Sequence, residues 1–372
     1  MKQELALRLL SGLMKWELIK ANEEFKWLKL LVEYKYDYYQ GYSPGARFLI
    51  NLINWLKQFP SPEEREVAYK FIRQRLIFIN QREMHHLVNL SMPMFDSEAR
   101  RLVAKKLGLK FHETWNDVKA ARRLRLLRMR TLYVALSDGA HIDVFRRDSD
   151  ASNEQVVPLA EISPQKWVNL TDKLRKRLSD AGYSDEGALF ERICLIDDFT
   201  GSGFTLIRLD KYAWDGKVPK FYNQCKDNEI LGKYVNQDCV VHIHHYLAST
   251  KAKESIDREL NEYKKTSVGF SFLSTFSYIL SQDIVVNGDD VQELVKLITN
   301  FYDDSIESEH TNENIHYGYK KCGLPLVLDH NTPNNSIALL WAKSKDSSES
   351  PKKMRPLFHR KERHIDHGKS NG

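Results

Sequence analysis

The spacing of apolar residues differs between the first third of the chain and the rest. Up to about residue 130, apolar side chains recur every three or four positions, which is the spacing of a helix with one buried face. One series spans residues 48–56, and another consists of Leu5, Leu9, Leu13, Trp16 and Ile19. The pattern predicts an all-α amino-terminal domain over residues 1–130.

Two segments of this region carry signals for the start of a helix. Ser61-Pro62-Glu63-Glu64 combines a capping serine with proline at the first helical position, which predicts a helix to about Arg75. Asn80-Gln81-Arg82-Glu83 is a second cap signature and predicts a short helix through Leu90. Ser91-Met92-Pro93 then indicates a turn. These helices fit either a bundle packed on a core domain or a helix-turn-helix or winged-helix unit.

From Thr131 onward, apolar runs of strand length alternate with helical segments. Near-continuous apolar strands separated by helices are typical of a mostly parallel sheet with helices on both faces. The predicted fold class is therefore α/β over residues 131–343, followed by a polar, charged tail over 344–372 with an anchor at Leu357-Phe358. Strands are expected near residues 131–136, 156–159, 193–196 and 239–247, and helices at 164–181, up to 263 and at 289–302.

The segment 192–205 carries the clearest chemical pattern. Its apolar strand leads into Asp197 and Asp198, and the run Leu206-Ile207-Arg208-Leu209 has the spacing of a helix start. Such a junction suits a phosphate, because the N–H groups of a first helical turn and the helix dipole face the anion. Glycines allow close backbone approach and hydroxyls add hydrogen bonds. The loop between these parts consists of Thr200, Gly201, Ser202, Gly203, Phe204 and Thr205.

The acidic pair suits groups that lie beside such a phosphate. Carboxylates accept hydrogen bonds from sugar hydroxyls, and they bind a hard cation such as Mg²⁺ directly or through water. Asp197 and Asp198 therefore predict a ligand that contains a sugar and a phosphate, with Mg²⁺ as the cofactor.

The order of strand, acidic pair, Thr/Ser/Gly turn and helix resembles the phosphoribosyl pyrophosphate loop of type I phosphoribosyltransferases. The resemblance covers residues 193–205. It implies that Asp197 and Asp198 contact the ribose and take part in catalysis, and that residues 200–205 bind the 5′-phosphate. Where purine-salvage members carry a carboxylate that assists the base, this chain has Gly201. The loop therefore supports ligand binding more strongly than turnover.

Residues 131–147 allow two structures. An Asp-Gly pair between apolar runs is a hairpin signal, which would join 132–136 to 141–145. The alternative is a strand, a loop and a helix from about Ile142, which matches the first strand and pyrophosphate loop of type I phosphoribosyltransferases. We favour the second, because the phosphoribosyl loop follows downstream in the order that this family requires.

That resemblance also implies roles on the pyrophosphate side. Ser137, Asp138 and Gly139 would face the pyrophosphate, and Arg146 or Arg147 would supply positive charge. The alternative for the two arginines is an ordinary charged surface.

A polar turn follows the apolar run 322–328 near the carboxyl end. It is either a turn whose side chains bond their own backbone or a cluster that recognises an acceptor base by amide hydrogen bonds and stacking. In the second case, His330 is a candidate for the proton transfer that Gly201 cannot perform. The cluster would consist of His330, Asn331, Asn334, Asn335 and Trp341.

Positive charge is concentrated between residues 100 and 130. This stretch holds eleven Lys or Arg against Glu113 and Asp117, a balance of +9 that exceeds the +6 of the whole chain. A concentrated basic helix is what a nucleic-acid backbone attracts. The alternative is a solvated helix face whose arginines pair with acidic residues elsewhere in the fold.

Composition narrows the class of protein. The 372-residue chain is 42% apolar and 28% charged, so most of its length is expected to fold. No apolar run reaches membrane-spanning length and the amino terminus lacks a signal-peptide core, so we expect a cytoplasmic protein with no membrane partner. Four cysteines without CxxC spacing are expected to be buried free thiols: Cys194, Cys225, Cys239 and Cys322.

A helical region before such a core resembles the phosphoribosyltransferase-like proteins of bacterial conflict and anti-phage systems. The resemblance implies a nucleotide-directed effector of the glycosyltransferase class that binds phosphoribosyl pyrophosphate or a nucleoside 5′-monophosphate, with a protein partner possible in principle. The alternative is a non-catalytic nucleotide sensor that contacts nucleic acid through residues 100–130.

Overall fold

The structure, a computed structural model, describes residues 3–41, 47–184, 186–266, 269–286, 291–307, 314–345 and 353–360. The chain divides into two compact units. Unit one combines Met1–Glu83 with Ser281–Gly372, and unit two is Met84–Leu280. The predicted domain boundaries at residues 130 and 343 follow the order of the chain instead, and they stay a prediction.

Helices dominate the first part of the chain, and strands alternate with helices after it. The α-helices are α1 (Gln3–Met14), α2 (Leu18–Tyr34), α3 (Arg47–Leu56), α4 (Pro62–Gln74), α5 (Gln81–Asn89), α6 (Ser91–Leu107), α7 (Val118–Met129), α8 (Ile142–Asp148), α9 (Pro164–Asp180), α10 (Lys217–Asp227), α11 (Thr250–Tyr263), α12 (Gln292–Asn300) and α13 (Ala338–Trp341). The strands are β1 (Ile77–Ile79), β2 (Thr131–Ala135), β3 (Val156–Val157), β4 (Phe190–Thr200), β5 (Arg208–Asp210), β6 (Ala213–Asp215), β7 (Val235–Ser249), β8 (Phe270–Leu280) and β9 (Leu326–Leu328).

Unit two is built on a five-stranded parallel sheet with the order β3-β2-β4-β7-β8. Leu195 of β4 and Ile243 of β7 lie in the apolar core on one face, together with residues of α9, α10 and α11. Alternate residues face the other way, where Phe95 of α6 packs against His242 and Tyr133. Helices therefore cover both faces, and the predicted α/β fold class is confirmed.

Hydrogen bonds confirm several local predictions. The Ser61 hydroxyl accepts from the Glu64 N–H at 3.1 Å, and the Glu64 carboxylate accepts from the Ser61 N–H at 3.2 Å, which completes the expected capping box. Asn80 and Glu83 bond each other in the same reciprocal way, with both distances 2.9 Å. Helix α8 begins at Ile142, so the strand, loop and helix expected after Thr131 form and the hairpin does not.

Two local predictions are wrong. Ser91-Met92-Pro93 is the first turn of α6 and not a separate turn; proline is tolerated there because an N–H at that position has no helical partner. The run 206–209 does not open a helix. Leu206 and Ile207 are buried in the apolar core of unit two, and the chain then forms the antiparallel β5-β6 hairpin before α10 begins at Lys217.

Unit one surrounds its own apolar core and contains the two-stranded parallel sheet β1-β9. Trp55 is fully buried there, and its indole N–H donates to the Leu339 carbonyl at 2.8 Å. The expected anchor Leu357-Phe358 is buried in the same core, which confirms it.

Helix α1 forms as expected but buries a different face from the one the apolar series suggests. Its buried residues are Ala6, Leu7, Leu10 and Met14. Leu5 and Leu9 are about half exposed, at 51% and 49%. The helix ends because Lys15 takes a left-handed conformation with φ of 53°, which separates Ile19 from the series.

Candidate functional site

The loops after β2 and β4 lie next to each other, because these strands are parallel neighbours. Strand β3 flanks β2 on one side and β4 flanks it on the other, so the chain changes direction between β2 and β4. Ligands of open α/β sheets bind beyond the carboxyl ends of the strands at such a switch point. The two loops predicted from the sequence, residues 137–140 and 200–205, both fall at this position.

Asp197 lies on β4 at this switch point and is 4% exposed. The Ser137 hydroxyl donates to its Oδ1, and the Lys217 ammonium lies 2.5 Å from its Oδ2. Burial raises the pKa of Asp197, while the charge of Lys217 acts to lower it. The carboxylate is thus held by groups from the loop after β2 and from the start of α10.

Asp198 points to the opposite face of the sheet and is partly exposed. Gly139 approaches it so closely that a Cβ atom at that position would lie 2.8 Å from Asp198 Oδ2. Glycine is therefore required at residue 139 for the carboxylate to keep its place. The two predicted loops meet at both aspartates.

The loop after the acidic pair is tightly built. Gly203 has φ of +73°, and a Cβ atom there would lie 2.9 Å from Ile256 Cγ1. Its N–H donates to the Thr200 hydroxyl at 3.3 Å, and the Ser249 hydroxyl donates to the Gly201 carbonyl at 2.6 Å. The loop is therefore held against the start of α11, the helix that follows β7.

The correction at residues 206–209 changes how this loop can bind a phosphate. The first N–H groups of α10 bond the loop itself: Lys217 donates to the Thr205 carbonyl at 3.1 Å and Val218 to the Leu206 carbonyl at 3.0 Å. Gly216 permits this return with φ of 119°, where a Cβ atom would lie 2.5 Å from the Leu206 oxygen. Positive charge beside the acidic pair therefore comes from the Lys217 side chain and not from a helix start directly after the loop.

The residues predicted for the pyrophosphate side are only partly brought together. Ser137 and Gly139 contact the acidic pair, whereas Asp138 is exposed. Arg146 and Arg147 are exposed in the last turn of α8, and the Arg147 guanidinium lies 3.4 Å from Asp148. Their contact with a ligand stays a prediction.

The predicted acceptor cluster belongs to unit one, and the phosphoribosyl loop belongs to unit two. His330 Nδ1 lies 3.3 Å from Asp329, and the Asn331 side chain accepts from the Thr332 N–H at 3.0 Å. The Asn335 amide donates to the Tyr319 carbonyl and the Trp341 indole donates to the Ser336 carbonyl. These bonds are those of a structured turn, and the roles of the cluster in acceptor binding and catalysis stay predictions.

Lys217, the partner of Asp197, lines a cavity of about 560 Å³. Its volume is in the range of small-molecule pockets. Its walls combine apolar and polar side chains. They include Leu136, Leu159, Phe221, Glu161, Lys220 and Gln224.

The family assignment follows from one comparison. A model of the family described as PRTase-CE matches residues 52–360. The chain belongs to this family. No curated protein and no solved structure matches the chain. The phosphoribosyltransferase-like domain expected from the resemblance is therefore confirmed.

In this PRTase-CE chain the basic stretch is two helices, α6 and α7, joined by the 3-10 helix Phe111–Trp115. Several of its arginines pair with carboxylates of unit two. Arg123 and Arg130 both contact Glu191, which is 13% exposed, and Arg128 contacts Asp96 at 2.6 Å. Part of the positive charge therefore stabilises the fold.

Sequence reasoning missed Lys217 as a partner of the acidic pair. The residue lies twenty positions after Asp197, and a local pattern of residues gives no pairing over that distance. The only signal in the sequence is that Lys217 follows Asp215-Gly216, a dipeptide that is typical of turns.

No helix in the described parts of the chain is both long and apolar enough to cross a membrane. The described residues also hold no group of three or more His, Cys, Asp or Glu side chains arranged to bind a metal ion. The four cysteines are buried free thiols, as expected.

Proposed function

We propose that this PRTase-CE protein binds phosphoribosyl pyrophosphate, or a nucleoside 5′-monophosphate, together with Mg²⁺ and acts as a phosphoribosyltransferase. The observation that carries the proposal is the meeting of two loops at Asp197 and Asp198, with Gly139 in contact with Asp198. This contact joins the two segments that sequence assigns to the ribose side and the pyrophosphate side of one ligand. The family match supports the same class of domain.

Mg²⁺ would bind near Asp198, directly or through water. Asp198 is partly exposed whereas Asp197 is 4% exposed, so a cation from solvent reaches the carboxylate of Asp198 more readily. When bound, the cation would neutralise charge on a departing pyrophosphate. Lys217 would hold the Asp197 carboxylate in place for contact with the ribose hydroxyls.

The cavity beside Lys217 is the proposed place for the group that is transferred to or from the ribose. It adjoins Asp197 through Lys217, and Leu136 in its wall directly precedes Ser137. A planar base suits its mixed walls, because apolar side chains can cover the ring faces while Glu161 and Gln224 bond the ring edge.

We expect little transfer to free hypoxanthine or guanine, because Gly201 provides no carboxylate to assist the base. Activity should instead appear with another acceptor or only after a trigger. Pyrophosphate release is to be measured with a panel of bases, nucleotides and nucleic acids, and the Asp197→Asn/Asp198→Asn double variant serves as the blank. Rapid turnover with a free purine would refute this argument.

Defence against phage as a nucleotide-directed effector is the biological role that the resemblance implies, and we include it in the proposal. Depletion or modification of a nucleotide pool would require turnover. If wild type binds the ligand tightly but releases no pyrophosphate with any acceptor, the sensor is favoured over the enzyme.

A second candidate function is a nucleotide sensor that contacts nucleic acid. Trp115 is 71% exposed, and the Arg100 guanidinium stacks 3.8 Å from its ring centroid and 4.1 Å from that of Phe111. An exposed aromatic ring beside stacked arginine is a platform for an unpaired base. Lys105 and Lys106 on α6 are exposed and add charge nearby in sequence.

For this candidate we expect Trp115→Ala and Lys105→Glu/Lys106→Glu each to weaken binding of single-stranded DNA or RNA about tenfold at low salt. Affinity should also fall steeply as salt rises. Gel retardation and fluorescence anisotropy measure both effects. Arg123 is unsuitable for charge reversal, because Glu191 would lose one of its two arginine partners and keep only Arg130. If wild type retards neither DNA nor RNA at low salt, the basic residues between 100 and 130 serve packing and solvation and not nucleic-acid binding.

A further inference from the structure

Tyr246 is fully buried in β7, yet its hydroxyl has no hydrogen-bond partner among the residues that the structure describes. A buried hydroxyl without a partner is destabilising, because it has lost its hydrogen bonds to water, so such groups are rare in folded proteins. His244 on the same face bonds both Thr275 and Ser277, whereas Tyr246, two residues on, bonds neither.

The register of the sheet places this hydroxyl group beside the acidic pair. Asp197 pairs with His245 and Phe199 with Leu247, so Tyr246 is the cross-strand neighbour of Asp198. Side chains of such neighbours in a parallel sheet leave the same face about 5 Å apart. Asp198 and Tyr246 therefore point into the same space beneath Gly139.

The charges around the hydroxyl agree with this placement. Burial raises the pKa of Tyr246 well above its ordinary value, and Asp198, Asp197 and Asp143 raise it further. The hydroxyl therefore stays protonated and is a hydrogen-bond donor near carboxylates, without an acceptor in the described structure. An oxygen atom of a bound ligand would satisfy it.

We propose that Tyr246 is a ligand-binding residue whose hydroxyl donates a hydrogen bond to the ligand oxygen held at Asp198. That oxygen belongs either to a ribose hydroxyl or to a water molecule of the bound Mg²⁺. The inference rests on the proposed function, since it assigns a third side chain to the same site. Asp198 is partly exposed, so the ligand reaches the pair from its side.

Tyr246→Phe tests the assignment, because it removes one oxygen atom and keeps the ring. We expect the affinity for phosphoribosyl pyrophosphate with Mg²⁺ to fall about tenfold in calorimetry. The melting temperature should stay the same or rise, because a hydroxyl without a partner is lost from the interior. Tyr133→Phe is the matched control: Tyr133 is buried on the same face, and its register partner Cys194 lies four residues before Asp198 on β4.

Ribose 5-phosphate titrated with EDTA and then with Mg²⁺ distinguishes the two sources of the oxygen. If Tyr246→Phe binds ribose 5-phosphate more weakly than wild type in both conditions, the oxygen belongs to a ribose hydroxyl. If its affinity is lower only with Mg²⁺, the oxygen belongs to a water molecule of the cation. Equal affinity of wild type and Tyr246→Phe overturns the inference, as does a lower melting temperature with unchanged affinity, which would make the hydroxyl structural. If wild type binds neither ligand, the proposed function fails and this assignment falls with it.

Discussion

Unit two is expected to lose about 5 kcal/mol of its free energy of unfolding between about pH 6.5 and pH 5. Three buried histidines of β7 cause this loss: His242, His244 and His245 are each at most 1% exposed. Burial lowers the pKa of His244 and of His245 to about 3, and it lowers that of His242 well below its ordinary value, helped by the charge of Arg192.

The sign follows from proton counting. Each histidine has a lower pKa in the folded chain than in the unfolded chain, so below about pH 6.5 the unfolded state binds more protons. The free energy of unfolding therefore falls as pH falls, with a slope that starts at about half of 1.4 kcal/mol per pH unit for each histidine near pH 6.5 and approaches the full value well below it. A total of about 5 kcal/mol is large against the usual stability of about 5–15 kcal/mol for a domain.

Hydrogen exchange of the full chain, followed by mass spectrometry, measures this loss separately for peptides of the two units. We expect protection of β4 and β7 to collapse as pH falls through 6 and 5. His244→Gln should reduce by one the number of protons taken up on unfolding, so the free energy of unfolding should depend less steeply on pH. Substitution of the exposed His86 by Gln is the control. A pH-independent free energy of unfolding over this range would show that the three rings are already charged or hydrated in the folded chain.

The sequence predicts the central strands and the first loops of the site well for a physical reason. Strand β4 is buried on both faces, so its apolar run is continuous and ends abruptly at two carboxylates. The helix after residue 140 follows from the same logic, because a parallel strand needs a crossover connection. These signals are local, and a single sequence is sufficient to read them.

Three features were not predicted from the sequence, because they depend on contacts between residues far apart in the chain. A four-residue segment such as 206–209, with three apolar residues and Arg208, is too short to show a unique period, and the tertiary core, not helix propensity, decides its conformation. Strand β8, Phe270–Leu280, lies at the sheet edge and mixes polar with apolar residues, so it lacks the continuous pattern of β4. The pairing of Lys217 with Asp197 requires the β5-β6 hairpin between them, and no pattern of residues predicts that hairpin.

Tyr246 is an intermediate case. Its presence on a strand is predicted from residues 239–247, but its place beside Asp198 requires the register of β4 with β7. One shift of register would move every side chain of β7 to the other face. Sequence patterns therefore identify the parts of the site, and strand pairing determines which of them meet.

Asp198→Asn is expected to weaken binding of phosphoribosyl pyrophosphate about 10-fold to 100-fold in the presence of Mg²⁺. The substitution removes a charged acceptor, and hydrogen bonds to charged groups contribute about 1.5–3 kcal/mol. The fold should persist, since Asp198 is partly exposed, whereas Asp197 is buried and paired with Lys217. Isothermal titration measures the affinity, and circular dichroism verifies folding.

Gly139→Ala should reproduce this loss without substituting either aspartate. The new Cβ would lie 2.8 Å from Asp198 Oδ2, so the carboxylate must move, and because it is the end of a flexible side chain the fold can tolerate the change. Gly187→Ala is the control, since a Cβ there meets nothing within 4 Å. Both site variants act through one carboxylate, so the Gly139→Ala/Asp198→Asn double variant should bind no worse than Asp198→Asn alone. Additive losses, or unchanged affinity in Gly139→Ala, would show that the contact between the two loops does not form the ligand site.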